Sequence, residues 1–469
     1  MLSMKRRGAA RLAAAVVASG LVAAGAIATA GTAAADETTP THGGATATLG
    51  GLKTFDQAVV HNDGGDQRVG AGLFEMAVDN GGTLQTYCID IHNPTQQQAK
   101  YQEVPWSASS LHNNGDAGKI RWILQNSYPQ VNDLAALASK AGAGNLTEKT
   151  AAAGTQVAIW RFSDHAKVDA VDPAAEKLAD YLEKSAQNVG EPKASLTLDP
   201  PAVSGKSGGK LGPVTVHTNA DSVTIAPGAG AAAGVKVVGK DGKAVTSAAD
   251  GTQLFFDVPK GAADGSTSLT AQAATKVPVG RAFTGIGVHA KSQTQILAGS
   301  SESTVSAAAT ASWKKQGAIP AITAEKNCAK GGVDVTATNK GDEAFRFQLS
   351  GKNIEIAPGK SQTVTVPVAE DQPYNITIKG EGGFKKSFSG VLDCKTAGSG
   401  GGKPSTQPSP ASVGGSTGGS AGGDKGGDLA ETGSSNATPM IAGIAVVLVV
   451  VGGASVFFLR KKKTGTPAQ

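Results

Sequence analysis

The sequence predicts a multidomain, mainly β chain: an α+β head, two all-β sandwich domains, a disordered linker and a C-terminal apolar helix. Three observations carry this. Helix and strand signals mix between residues 49 and 195, which hold three of the four Trp and four of the five Tyr. From about residue 193 to 394, short runs of alternating apolar residues are punctuated by Gly, Pro, Asp and Asn clusters, the pattern of half-buried strands in a sandwich. Residues 397–428 are almost wholly Gly, Ser, Pro and Thr, a composition that cannot bury enough apolar surface to fold.

The N-terminus carries Lys5, Arg6, Arg7 and Arg11, an apolar Ala-rich run to about Ala30, and Ala33-Ala34-Ala35 before Asp36. That order reads as a secretory signal peptide over residues 1–35, cleaved after Ala35. Residues 36–48 are small and polar and are expected to be a flexible leader. In the head, Asp79-Asn80-Gly81-Gly82 separates the apolar runs Leu73–Val78 and Leu84–Ile91, a strong hairpin signal. On the return strand Leu84, Thr86, Cys88 and Asp90 share one face, and Tyr87, Ile89 and Ile91 the other. A helix is expected from Glu148 to Phe162, with Asn145 and Thr147 as capping residues. Gln156 falls on its apolar side with Ala152, Ala153, Ile159 and Trp160. An unpaired amide buried there would cost a few kcal/mol, so Gln156 should have a partner.

The β-type region divides into two expected domains of immunoglobulin-like type, 196–316 and 317–396. In the first, Leu196, Leu198, Val214, Val216, Val223 and Ile225 alternate, as do Leu254, Phe256 and Val258. In the second the strands are Val333–Ala337, Phe345–Leu349, Ile354–Ile356, Val364–Val366 and Tyr374–Ile378. Cys328 and Cys394 bracket that unit and are expected to pair, a bridge worth about 4 kcal/mol on the chain-entropy account. Cys88 is left over, more than two hundred residues away. The linker over 397–428 spans about 30 Å r.m.s. as a random coil and at most about 105 Å extended.

Residues 429–469 combine three signals in order. Leu429-Ala430-Glu431-Thr432-Gly433 resembles a sortase recognition motif of the LPxTG type in its LAxTG variant. An apolar span from Met440 to Leu459 follows, twenty residues and about 30 Å of helix. Arg460-Lys461-Lys462-Lys463 then stays cytoplasmic by the positive-inside rule. The resemblance implies cleavage between Thr432 and Gly433 by a sortase, transfer to peptidoglycan, membrane residence only before sorting, and a Gram-positive source of high-GC type. Removing both targeting segments takes eight basic residues from 43 and leaves 35 against 38 acidic, a net of −3. The basic character belongs to targeting, and no nucleic-acid partner is expected.

Tyr87-Cys88, followed by Thr155-Gln156-Val157-Ala158-Ile159-Trp160, resembles the thioester domains of Gram-positive surface adhesins, whose signature is a strand Cys and a TQxA[IV]W segment. Lys119 to Pro129 resembles the helix that precedes that segment. The resemblance covers about 140 residues and implies an internal thioester between Cys88 sulfur and the Gln156 side-chain carbonyl. It implies a single-turnover covalent binder of an amine on a target surface or protein, and so a chain that is not an enzyme. A thiolate is nucleophilic enough to attack an amide held against it, and Tyr87, Ile159 and Trp160 would shelter the product from water. His165 is a further candidate for the pocket. Two other readings stay open. Cys88 as a buried free thiol would leave a wall protein that binds non-covalently. A Cys-dependent enzyme would pair Cys88 with His165 beside Asp164, or with His92 two residues beyond Asp90, although no protease-type Cys signature is present. Seven His without HExxH or paired spacing, and no CxxC, give no reason to expect a metal or cofactor.

Overall fold

The computed structural model describes residues 43–228 and 231–394. The expected signal peptide, most of the leader, the linker, the LAETG motif and the apolar C-terminal helix lie outside the described residues. Among the described residues no helix is long and apolar enough to cross a membrane.

The head begins with β1 (Thr46–Asn62), β2 (Gly65–Val78), β3 (Thr83–Cys88) and β4 (Lys100–Val104). Four helices follow, α1 (Ala117–Asn126), α2 (Leu134–Ala141), α3 (Glu148–Ser163) and α4 (Pro173–Ser185), with β5 (Val168–Ala170) between the last two. The β2–β3 hairpin turns where expected: Val78 N–H donates to Gly82 O at 3.0 Å, and Gly81 and Gly82 adopt φ of 100° and 106°, which an L side chain resists. The leader expectation fails at its end. Ala45 and Ala47 are fully buried, Gly43 O accepts from Gln102 Nε2 at 2.7 Å, and the first strand starts at Thr46.

The next stretch contains β6 (Leu196–Asp199), β7 (Ala202–Lys206), β8 (Lys210–Thr218), β9 (Val223–Pro227), β10 (Lys236–Val238), β11 (Ser247–Ala248), β12 (Gln253–Asp257) and β13 (Gly265–Lys276). It then gives β14 (Ala282–Gly285), β15 (Gln295–Ser300) and β16 (Glu302–Lys314). Sheets β10-β12-β8-β6 and β11-β9-β13-β16-β7 form a sandwich, with β16 parallel to β7 and antiparallel to β13. The strands β14 and β15 do not belong to it. They leave the β13–β16 hairpin and enter the head, giving the order β2-β3-β15-β14-β4-β1-β5 with β1 also paired to β2. The ring β1-β2-β3-β15-β14-β4 is therefore a closed barrel.

This corrects the expected boundary at 195/196 and the expected self-contained unit over 196–316. Without residues 277–300 the barrel would have two open edges, at β3 and β4, each a row of unpaired backbone groups. Head and sandwich accordingly share one continuous apolar core, from Ala45 to Trp313.

The last unit has its own core around Ile322, Val335, Phe347 and Ile378. Its strands are β17 (Pro320–Asn327), β18 (Gly332–Asn339), β19 (Phe345–Leu349), β20 (Lys352–Ile356), β21 (Ser361–Pro367), β22 (Gln372–Gly380) and β23 (Lys385–Leu392). They form the sheets β17-β18-β21 and β20-β19-β22-β23. The five strands read from the sequence fall on β18 to β22. Cys328 and Cys394 are bonded, with Cα atoms 5.4 Å apart, joining the end of β17 to the chain just past β23.

Candidate functional site

Helix α3 is the element that builds the site. Thr147 caps it, accepting from Thr150 N–H at 3.2 Å while Thr150 Oγ1 accepts from Thr147 N–H at 2.9 Å. Every residue from Thr150 to Trp160 is buried, because α3 lies between the barrel strands and α4. Such close approach requires small residues: a Cβ on Gly154 would lie 2.4 Å from Ala175 O of α4. Ala151-Ala152-Ala153-Gly154 thus lets the helix sink onto the barrel and carries Gln156 to the end of β3.

There β2 and β3 separate. Their pairing ends at Phe74 opposite Thr86. Ile89 N–H donates across to Thr294 O at 3.1 Å, so by the alternation of an antiparallel ladder the Cys88 backbone groups point the other way, toward the side β2 has vacated. The Gln156 carboxamide fills that opening. Cys88 N–H donates to Gln156 Oε1 at 2.9 Å, and Gln156 Nε2 donates to Cys88 O at 2.8 Å. Both residues are fully buried. The partner that a buried Gln156 demands is the backbone of Cys88 itself.

The sulfur has a mixed environment. Asp90 N–H donates to Cys88 Sγ at 3.2 Å. Burial pushes the Cys88 thiol well above its usual range, and the charges of Asp164 and Asp90 push the same way. The Trp160 indole N–H has no hydrogen-bond partner and lies near enough to the sulfur to favour its ionised form. Asp164 accepts from Ile91 N–H at 3.0 Å and from Ser163 Oγ at 2.6 Å, and burial raises it to about 6. Burial, then the charge of Asp164, raises Asp90 to about 7.

Of the candidate pocket residues, Tyr87, Ile159 and Trp160 are fully buried, and Tyr87 OH donates to Tyr128 O at 2.8 Å. His165 is not in the pocket. It is exposed, at φ 51° just past the helix, and its neighbour Asp164 is the residue that faces the site. His92 is exposed as well, so neither candidate of the Cys-His-Asp reading reaches Cys88.

Sequence reasoning missed one wall of the site. Gln293, Thr294 and Gln295, fully buried at the start of β15, come from the sandwich excursion. Gln295 stands opposite Cys88, accepts from Thr86 Oγ1 at 3.0 Å and donates to Gln293 Oε1 at 3.2 Å; Gln293 Nε2 donates to Asp90 O at 2.8 Å. The one available signal was a polar triplet immediately before the apolar run Ile296-Leu297-Ala298.

Residues 85–188 match the thioester domain family, a segment that contains both Cys88 and Gln156. Residues 320–391 match the family described as bacterial phospholipase C, C-terminal domain, which concerns the third unit and brings no activity with it. No curated protein matches the chain. Similar solved structures include the Bacillus anthracis TIE protein, at 14% identity and TM-score 0.27, covering 75% of this chain and 81% of that one. Another is the thioester domain of the Enterococcus faecium TIE86 protein, at 15% identity and TM-score 0.25, covering 58% of this chain and 97% of that one. At these TM-scores the two likenesses carry no argument of their own.

Proposed function

We propose that the chain is a bacterial surface adhesin whose head forms an internal thioester between Cys88 Sγ and the Gln156 carbonyl carbon, and couples through it to an amine on a partner. The observation that carries this reading is the two-point seating of the Gln156 carboxamide on Cys88 inside a fully buried contact. An amide held on the backbone of the cysteine it would react with needs no diffusional encounter.

In the forming step the sulfur attacks the carboxamide carbon, the C–N bond breaks, and the thiol proton leaves with the amide nitrogen as ammonia. Asp164, partly protonated near neutral pH, fits the relay of that proton. In the coupling step a partner's amine attacks the same carbon, the C–S bond breaks, and an amide to Gln156 and a free Cys88 thiol remain. Trp160 N–H would favour the departing sulfur as thiolate. The bond is used once, so the protein binds rather than turns over. Thioester-domain proteins are typically extracellular surface proteins of Gram-positive bacteria. With the LAETG motif this supports export, sortase cleavage after Thr432 and attachment to peptidoglycan.

The exported chain should weigh one ammonia less than its sequence, Cys88→Ala and Gln156→Ala should restore the full mass, and methylamine should add once and expose one thiol. A wild-type chain at full mass and inert to methylamine would leave a wall protein that binds non-covalently. Thr432→Ala should move the protein from the wall to the membrane or medium; unchanged wall linkage would refute the anchoring.

A further inference from the structure

The chain just past β3 is gripped a second time, beyond the seat of Gln156 on Cys88. Ile89, Asp90 and Ile91 are buried, yet they belong to no strand. Buried backbone outside a ladder needs partners from elsewhere, and here they come from two directions. Asp164, just past α3, accepts from Ile91 N–H at 3.0 Å. Gln293, on the excursion between β14 and β15, donates from Nε2 to Asp90 O at 2.8 Å. The carbonyl of Asp90 and the N–H of Ile91 belong to one planar peptide group, so that plane is held from both sides.

Gln293 is itself fixed. It is fully buried, its N–H donates to Pro94 O at 3.2 Å, and its carbonyl accepts from Tyr101 OH at 2.8 Å. Its Oε1 accepts from Gln295 Nε2 at 3.2 Å, and Gln295 Oε1 accepts from Thr86 Oγ1 at 3.0 Å. The direction of this chain is dictated at its far end, because Asp90 O can only accept and must meet the Nε2 side of Gln293. Thr86 and Asp90 lie two residues to either side of Cys88. The run Thr86, Gln295, Gln293, Asp90 therefore straps the strand end across the reacting residue. The peptide before the clamped one supplies Asp90 N–H, the donor to Cys88 Sγ at 3.2 Å. Holding the clamped peptide sets where that N–H points, and with it the sulfur.

We propose that Gln293 is a positioning residue for thioester formation: it locks Asp90 so that Cys88 Sγ is aimed at the Gln156 carbonyl carbon. The role in closure rests on the thioester reading. Gln293 touches neither reacting atom and acts through the Asp90 backbone. The bonds made and broken are those of the closing step: C–S forms, C–N breaks, and ammonia carries away the thiol proton. Small displacements matter in such a step, since a misplacement of about 1 Å can cost about a hundredfold in rate. The residue that completes the aim of the head's cysteine is thus supplied by the excursion from the sandwich.

Two replacements of similar size separate this role from packing. Gln293→Met removes the donor. Gln293→Glu keeps an acceptor for Gln295 and donates to Asp90 O only when protonated, a form that burial favours. In the exported chain made by cell-free synthesis and followed by intact mass, Gln293→Met should lose ammonia about a hundredfold more slowly than the wild type. The closure rate of Gln293→Glu relative to Gln293→Met should rise as the pH falls from about 8 to about 5, because only the first regains a donor. Asp90, Cys88, Tyr101, Asp164 and, from the third unit, Asp393 surround the site in both variants. A flat ratio, or closure of Gln293→Met at the wild-type rate with only a lowered melting temperature, overturns the role. The grip is tested without the thioester in Gln156→Ala, where adding Gln293→Met should speed amide exchange of Asp90 and Ile91 about fivefold, the worth of one hydrogen bond. Unchanged exchange overturns the grip. A wild type that stays at full mass, with faster exchange in the double variant, would refute the thioester and the role in closure and leave the grip standing.

Discussion

Arg281 is the sharpest place to test how the head is closed. It lies on the excursion just before β14, is 4% exposed, and donates from Nε to Glu103 Oε1 of β4 at 2.8 Å. Its other arm donates to Glu191 Oε1 at 2.7 Å and to Pro192 O at 3.3 Å. Glu103, 2% exposed, also accepts from Ala45 N–H at 3.1 Å, from Ser195 N–H at 3.0 Å and from Ser195 Oγ. One carboxylate thus gathers the first strand, the head-to-sandwich connection and the excursion. Arg281→Ala would strip its countercharge and leave three neutral donors around a buried anion. Breaking a buried pair from one side costs about 3–5 kcal/mol, against a total stability of about 5–15 kcal/mol, and should lower the melting temperature by about 6–20 °C. Replacing both partners with apolar groups, Arg281→Met with Glu103→Leu, should recover most of that loss. Urea unfolding followed by Trp emission reports mainly the head, which holds three of the four Trp. A loss under ~1 kcal/mol, the range of an exposed pair, or strict additivity of the two single changes in the double, would refute a buried closure.

Other outcomes follow from the same geometry. A fragment of residues 43–195 lacks β14 and β15, and with them the buried Phe283, Ile296 and Leu297, each worth about 1.5–3 kcal/mol; a cooperative melt close to that of the whole chain would count against barrel closure by the excursion. In Gln156→Ala, Cys88 should resist iodoacetamide at pH 8 until the protein is denatured, because burial hides the sulfur and a raised pKa leaves little thiolate there; labelling at the rate of an exposed thiol would contradict the buried site. Cys328→Ser should destabilise the third unit by about 4 kcal/mol and leave the head transition unmoved, and an unchanged third-unit transition in urea would show that the bridge adds nothing.

What the sequence made legible was local. Thr147 ahead of an Ala-rich run, Asn80-Gly81 between apolar stretches and the alternating strands of the third unit each declare themselves within a few residues. Gln156 was legible in a stronger sense, since an amide on a buried face requires a partner, and its partner is Cys88. The barrel closure was not legible. Ala282, Phe283, Thr284 and Gly285 are all buried and show no alternation, and Gln293-Thr294-Gln295 reads as a polar loop. Their pairing partners, Tyr101 to Val104 and Leu84 to Cys88, lie about two hundred residues away. Hydrophobic periodicity reports a burial pattern and not which distant edge completes it. His165 failed for a smaller reason: two residues past the helix the backbone turns left-handed, and the side chain that faces inward belongs to Asp164.

The parallel pairing of β7 with β16 bears on how such a chain would carry tension. The sandwich is entered close to β7 and left at the end of β16, and the two lie side by side from Ala202 opposite Thr310 to Lys206 opposite Lys314. A pull between the head and the chain beyond Lys314 draws one strand backward and the other forward along their common axis. Their hydrogen bonds are then loaded together, in shear, rather than peeled one after another as when a hairpin unzips. The same pull meets the β14–β15 excursion seated inside the barrel, so the sandwich cannot be drawn away from the head without first extracting two of the barrel's strands.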